Sequence, residues 1–314
     1  MKRFLFKILC LFGIPTLLFV LLGSFFLIFL APQYKYSYNA SINDKINWLE
    51  EASSPKIILC GNSNLSFGIN SEILEKKFNM PVVNLGLHGG LGNSFHEEMA
   101  KFNVKDGDMI IVCHSTFSDD NKISNPELAW LTLENNFNLY KLIKPKDYFD
   151  MLKIFPKYVA KGTILFLTHR GNKEPKDCYT RLGFNKNGDL IYPRKYDENL
   201  FDKNVHDSKP SINTVCTFRL NDFYDYCNER GATLLIAGYP ILQKNNESID
   251  TNFYKNFQKE LQNQVKAKVI SNYADYIYSE NLFYNTHLHL TNEGAEIRTK
   301  QLCKDLEEYL RSCK

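Results

Sequence analysis

The chain has 314 residues, is 44% hydrophobic, and carries 38 basic and 35 acidic side chains, so it can bury a core in one large domain or two ordinary ones. Lys2, Arg3 and Lys7 sit at the N-terminal end, which leaves the remainder balanced at 35 against 35. That balance argues against a nucleic-acid partner, which would call for a high pI or a basic stripe.

The first element is apolar. Ile8 to Ala31 contains no ionic residue, and the run exceeds the roughly 20 residues that span a bilayer. Gly13 and Pro15 are tolerable kinks in a membrane helix. Basic residues on the N-terminal flank orient that end to the cytoplasm and the rest of the chain outside it. A cleaved signal peptide would have an apolar region of about 7 to 15 residues and a small-X-small site after it. The longer run, ending Phe29-Leu30-Ala31 before Pro32, favours an uncleaved anchor over residues 1–31, touching the membrane through 4–31.

Residues 32–55 read as a Tyr-rich linker and a short helix containing Ile46, Trp48 and Leu49. Short Ile/Val/Leu-rich runs then alternate with amphipathic segments. Strands are predicted at 56–60, 82–86, 109–113, 233–238 and 268–271, and helices at 71–78, 94–103, 212–230, 249–265 and 292–310. The alternation predicts an α/β fold with a parallel sheet covered by helices on both faces over 56–314. Ligands in such sheets bind beyond the C-terminal strand ends. The loops from Gly61, Gly86, His114, Gly238 and Asn272 are therefore expected on one rim. Residues 117–210 interrupt the rhythm. They hold a helix near 146–160, a turn at Gly171-Asn172, and a hairpin signal at Asn187-Gly188 between 182–184 and 190–192. This insertion either covers the rim or is an irregular structural extension.

Two short motifs carry the chemistry. The first strand ends in Gly61-Asn62-Ser63-Asn64, and the last helix is preceded by His287-Leu288-His289-Leu290-Thr291-Asn292-Glu293-Gly294. Thr291 or Asn292 can cap that helix, leaving His289 in the loop before it. Together with Asn84-Leu85-Gly86 after the second strand, this order resembles the SGNH (GDSL-type) hydrolase superfamily, across essentially all of 56–310. The likeness is greatest to membrane-anchored bacterial members linked to acylation or deacylation of envelope polymers. It implies a flavodoxin-like three-layer α/β/α sandwich with a five-stranded parallel sheet, placed outside the bacterial inner membrane.

The resemblance implies Ser63 as nucleophile and His289 as its base, with no cofactor. A serine hydroxyl needs such a base, and imidazole titrates near working pH. Asn62, Asn64, Gly89, Gly90 and His114 are the candidate oxyanion or substrate-binding residues. Two positions depart from the family pattern. Asn285 stands where an Asp commonly precedes the His, with Asp275 the nearest upstream carboxylate. His114-Ser115-Thr116 replaces the usual Gly-X-Asn block. Two readings follow: an O-acyl esterase or acyltransferase acting on acylated envelope sugars alongside polymer-assembly proteins, or a degenerate module that binds a glycan or assembly partner.

The other polar residues point to less. None of the eight cysteines forms CxxC, although Cys216/Cys227 and Cys303/Cys313 are spaced so that pairing outside the cytoplasm is conceivable. His88, His114, His287 and His289 fall on rim loops, but no Cys or carboxylate joins them at familiar ligand spacing, so no metal is expected. Asp119-Asp120 reads as a solvated turn, and Asn39, Asn64 and Asn246 begin N-X-Ser sequons.

Overall fold

The computed structural model describes residues 2–118, 122–134, 136–171, 173–202, 209–244 and 248–313. Asp119-Asp120, Asn172 and the Asn246 sequon lie outside them. In chain order the elements are α1 (Lys2–Phe29), α2 (Ile42–Glu51), β1 (Ile57–Cys60), α3 (Ser63–Gly68), α4 (Ser71–Phe78), β2 (Val82–Asn84), α5 (Asn93–Ala100) and β3 (Met109–Val112). Then follow α6 (Pro126–Leu133), α7 (Tyr148–Leu167), α8 (Thr214–Asn228), β4 (Thr233–Ile236), β5 (Ile241–Gln243), α9 (Thr251–Gln264), β6 (Lys268–Val269), β7 (Ile277–Ser279) and α10 (Asn292–Ser312).

The five expected strands form one parallel sheet in the order β2-β1-β3-β4-β6. Side chains alternate across it. Ile58, Cys60, Val83, Ile110, Val112, Leu234 and Ile236 enter a core with Phe95, Met99, Leu220 and Phe223. Ile57, Leu59, Val82, Met109, Ile111 and Leu235 enter a second core with Leu65, Leu74, Leu302 and Leu306. Burial on both faces explains why these strands read as continuous apolar runs rather than alternating ones. Truncating one of these aliphatics to Ala costs about 2–5 kcal/mol.

The structure adds three elements that the sequence reading lacked: α3 directly after β1, α6, and the short parallel pair β5–β7. The expected hairpin reduces to one antiparallel bridge, Phe184 to Leu190, around Gly188 at φ 89°. Lys45 anchors that turn by donating to Gly188 O (2.5 Å) and Asn84 O (2.9 Å).

The suggested cysteine pairings are not geometrically possible. Cys216 and Cys227 both lie on α8, eleven residues or about 16 Å apart at 1.5 Å per residue, far beyond disulfide reach. Cys303 and Cys313 are separated in the same way along α10 and its end, and all eight cysteines are free. The Asn39 and Asn64 sequons are buried.

α1 is long and apolar enough to cross a membrane. Its C-terminal part touches α7: the Phe19 and Phe155 rings lie 5.8 Å apart.

Candidate active site

β1 delivers the chain into a tight turn. Gly61 is needed there for space: a Cβ would stand 3.0 Å from Cys113 O and from Leu65 Cδ1. Asn62 caps α3, its Oδ1 accepting from the Asn64 N–H (3.0 Å) and from Asn64 Nδ2 (2.7 Å). Ser63 is the first residue of α3, and it is half-buried between the buried Asn62 and Asn64.

His289 arrives from the far end of the chain. A bridge between Phe283 and Leu290 and the Tyr284 N–H donating to His289 O (2.8 Å) close the loop between them. Thr291 caps α10 by accepting from the Gly294 N–H (3.1 Å). This closure brings His289 Nε2 to 2.9 Å from Ser63 Oγ, across 226 residues of sequence. Asn285, not Asp275, meets the other ring nitrogen: His289 Nδ1 is 2.9 Å from Asn285 Oδ1. Asp275 stays with Asn272, whose Nδ2 donates to it (3.1 Å).

Asn285 is itself held, its Nδ2 donating to Tyr179 Oη (2.9 Å). With the amide nitrogen engaged there, the amide oxygen faces the ring and takes the Nδ1 proton. The Nε2 lone pair is then left to accept from Ser63. Phe67 lies flat under the imidazole, with centroids 3.8 Å apart and planes 8° apart, and fixes its tilt. Burial pushes the His289 pKa down to about 3, helped by His88, the Arg194 guanidinium and His287. The resting ring is therefore neutral at physiological pH. Burial also lowers the pKa of His88 and of His287.

Two buried arginines hold the halves of the site together. Arg298, on α10, donates to Asn64 O (2.6 Å), Asn64 Oδ1 (2.9 Å) and Gly238 O (3.2 Å), so the helix after His289 grips the turn that carries Ser63. Arg194, from the insertion, donates to Leu290 O (3.1 Å) beside His289 and to Phe67 O (3.1 Å) on α3. Asp189 adds a third tie, accepting from Ser71 N (2.6 Å), Ser71 Oγ (2.7 Å) and Asn84 Nδ2 (2.8 Å). The 178–194 part of the insertion is thus a brace for the site. None of Tyr179, Arg194 and Arg298 carries a local signal, because each acts through a contact more than 90 residues away.

The other candidates sort by geometry. Asn62 Nδ2 donates to Ser115 Oγ (3.1 Å), and a bridge between Asn62 and Leu87 sets the 87–89 loop beside it. A Cβ on Gly89 would stand 3.6 Å from Asn62 Nδ2, so Gly89 borders the turn. Among the described residues the Ser63 and Gly89 N–H groups have no partner outside their own helices. The Gly90 N–H, in contrast, is taken by His88 Nδ1 (2.9 Å), which removes it as an oxyanion donor. Asn64 is fully buried and spends both its amide groups on Asn62, Cys113 O (2.9 Å) and Arg298, so it builds the turn and does not face a ligand.

His114 is also displaced from its expected place on the rim. It is fully buried, with Nε2 2.9 Å from Glu97 Oε1, and Glu97 Oε2 accepts from Arg219 Nε (2.7 Å). Burial alone would raise the Glu97 pKa, but the His114 hydrogen bond and the Arg219 guanidinium outweigh it and hold the carboxyl below its usual range. Ser115, the next residue, is the one that touches the Ser63 turn. Among the described residues no group of three His, Cys, Asp or Glu side chains is arranged to hold a metal ion.

No protein-family model, curated protein or solved structure matches this chain.

Proposed function

We propose that the chain is a membrane-anchored serine O-acyl esterase or acyltransferase with an SGNH-type three-layer α/β/α sandwich, acting outside the bacterial inner membrane on acylated envelope sugars. The observation that carries this reading is the Ser63–His289–Asn285 relay, with both of its hydrogen bonds at 2.9 Å. A nucleophile within hydrogen-bond reach of a base, itself oriented by a third group, is the arrangement that acyl transfer needs.

The mechanism follows from the tautomer. Ser63 Oγ attacks the acyl carbonyl as His289 Nε2 takes its proton. The developing oxyanion is held by the Ser63 and Gly89 N–H groups, with the second Asn62 Nδ2 hydrogen close by. His289 returns the proton to the leaving sugar oxygen, giving acyl-Ser63 and a free hydroxyl. Water, or a second sugar hydroxyl, then attacks the acyl group with His289 again as base. The first outcome is hydrolysis and the second transfer.

The anchor supports the substrate class. Tyr38 is nine residues beyond Phe29, at most about 32 Å of extended chain. Its ring lies 6.1 Å from that of Phe67, which stacks on His289. The relay is therefore tethered close to the end of the apolar helix, where envelope polymers are assembled. A neutral Asn285 in place of a carboxylate favours the second reading, a glycan-binding module that retains the fold. Release of acetate from O-acetylated envelope polysaccharide, or acetyl transfer onto the deacetylated polymer, separates the two. The enzyme reading expects one of these from the full chain and neither from Ser63→Ala. Tight polymer binding with neither reaction supports the module.

A further inference from the structure

We infer that α7 is a second membrane contact, lying beside α1 with an apolar stripe towards the lipid. The inference rests on α1 crossing the bilayer, as proposed above.

One side of α7 is committed to the protein. Met151, Phe155 and Tyr158 are buried in the main core, and Phe155 and Tyr158 pack on Trp130 with centroids 5.0 and 5.6 Å away. The opposite side is apolar and uncovered: Phe149 is 67% exposed, Leu152 53%, Ile164 59% and Leu167 69%. At 100° per residue these four fall within a sector of about 120°, together with Pro156 and Ala160. Lys153 interrupts the sector and pairs with Asp150 (3.1 Å), the helix's one acidic residue, while Lys157 and Lys161 flank it on one side and pair with Glu127 on α6, Lys157 at 2.7 Å. A soluble surface would not be expected to present such a stripe. An interfacial helix carries this pattern, with aromatic and aliphatic side chains on one face and lysines beside it.

Its placement identifies the occupant. α7 runs along the C-terminal part of α1: Phe19 meets Phe155, a Cβ on Gly23 would stand 3.1 Å from Phe155 Cε1, and Leu30 Cβ lies 3.8 Å from the Cβ position of Gly162. Residues 19 to 29 cover about 15 Å of α1, half of a hydrocarbon layer of about 30 Å. Lipid around that half of α1 reaches the uncovered stripe of α7. Two lines of contact fix the orientation of the domain, where α1 alone leaves it free to swing.

The test is photo-crosslinking of the full chain in nanodiscs of phosphatidylethanolamine and phosphatidylglycerol. Benzoylphenylalanine replaces Leu152 or Ile164 on the stripe, Leu11 in α1, or Lys304 on α10, which packs on the opposite face of the sheet. Lipid adducts, seen as a mass increase of one phospholipid, are expected at Leu11, Leu152 and Ile164, and at background level at Lys304. Adducts at Leu11 with none at Leu152 and Ile164 overturn the inference while leaving the anchor intact. Loss at Leu11 as well overturns the anchor and this inference with it. Crosslinks from Leu152 to a second copy of the chain also overturn it, since they give the stripe a protein partner.

Discussion

Asn285→Asp should make the relay faster and move its pH dependence. In the native chain Asn285 faces His289 Nδ1 with a neutral amide oxygen, which gives no charge to the imidazolium that the proposed mechanism forms when Ser63 is deprotonated. A carboxylate in that place puts the charges about 4 Å apart, which at an effective dielectric of about 20 is worth about 4 kcal/mol, or about 3 pKa units. Desolvation of the new carboxylate trims this gain, while Tyr179 Oη can turn to donate to it. The His289 pKa, pushed down to about 3 by burial, should rise towards about 6. The plateau rate should rise between about 10-fold and about 10³-fold, the latter corresponding to the full 4 kcal/mol. The assay is the rate of phosphonylation of the full chain in detergent by a fluorophosphonate, followed by intact mass from pH 4 to 9. The acid limb of that rate reports the pKa of the free base. Native protein should stay flat down to about pH 4, and the variant should be faster with a limb near pH 6. A native limb between pH 6 and 7, or a variant with neither a shifted limb nor a faster plateau, refutes the reasoning.

Tyr179→Phe removes the acceptor that holds the Asn285 amide, so the amide can turn and present its nitrogen to His289. Labelling should slow about 5-fold, in line with one hydrogen bond of about 1 kcal/mol, with the acid limb unmoved. Arg298→Leu strips donors from Asn64 O, Asn64 Oδ1 and Gly238 O and should cost about 3 kcal/mol in denaturant unfolding; Arg298→Lys should recover part of it. Glu97 has a depressed folded pKa, so its stabilisation is present above about pH 4.5 and is lost as pH falls through the folded value. Glu97→Gln should therefore be destabilised at pH 7 by about 3 kcal/mol and show a shallower fall in stability below pH 4.5.

The sheet could be read from the sequence because its strands are buried on both faces, and Ile57–Cys60 or Met109–Val112 has nowhere polar to point. The first expected strand ends at Cys60 as read, and the other four end one or two residues early, where the chain leaves the ladder for a turn. Ser63, His289 and Asn285 could be found because two of them lie at element boundaries, a strand end and a helix cap, that leave local marks. His114 misled for the same reason. It lies two residues past the end of β3, but its ring turns into the core to meet Glu97, and Ser115 takes the outward place. Tyr179, Arg194 and Arg298 were invisible because an arginine that donates to distant backbone carbonyls has no sequence spacing to betray it. The exposed stripe of α7 was hidden too, since an amphipathic pattern does not say which face finds protein.

The most direct measurement of the central claim is the site of fluorophosphonate attachment in the full chain, read by peptide mass spectrometry. The relay predicts stoichiometric modification on Ser63, abolished in Ser63→Ala and strongly slowed in His289→Ala. An unmodified Ser63 in folded protein, or modification that survives loss of His289 at an unchanged rate, would contradict it.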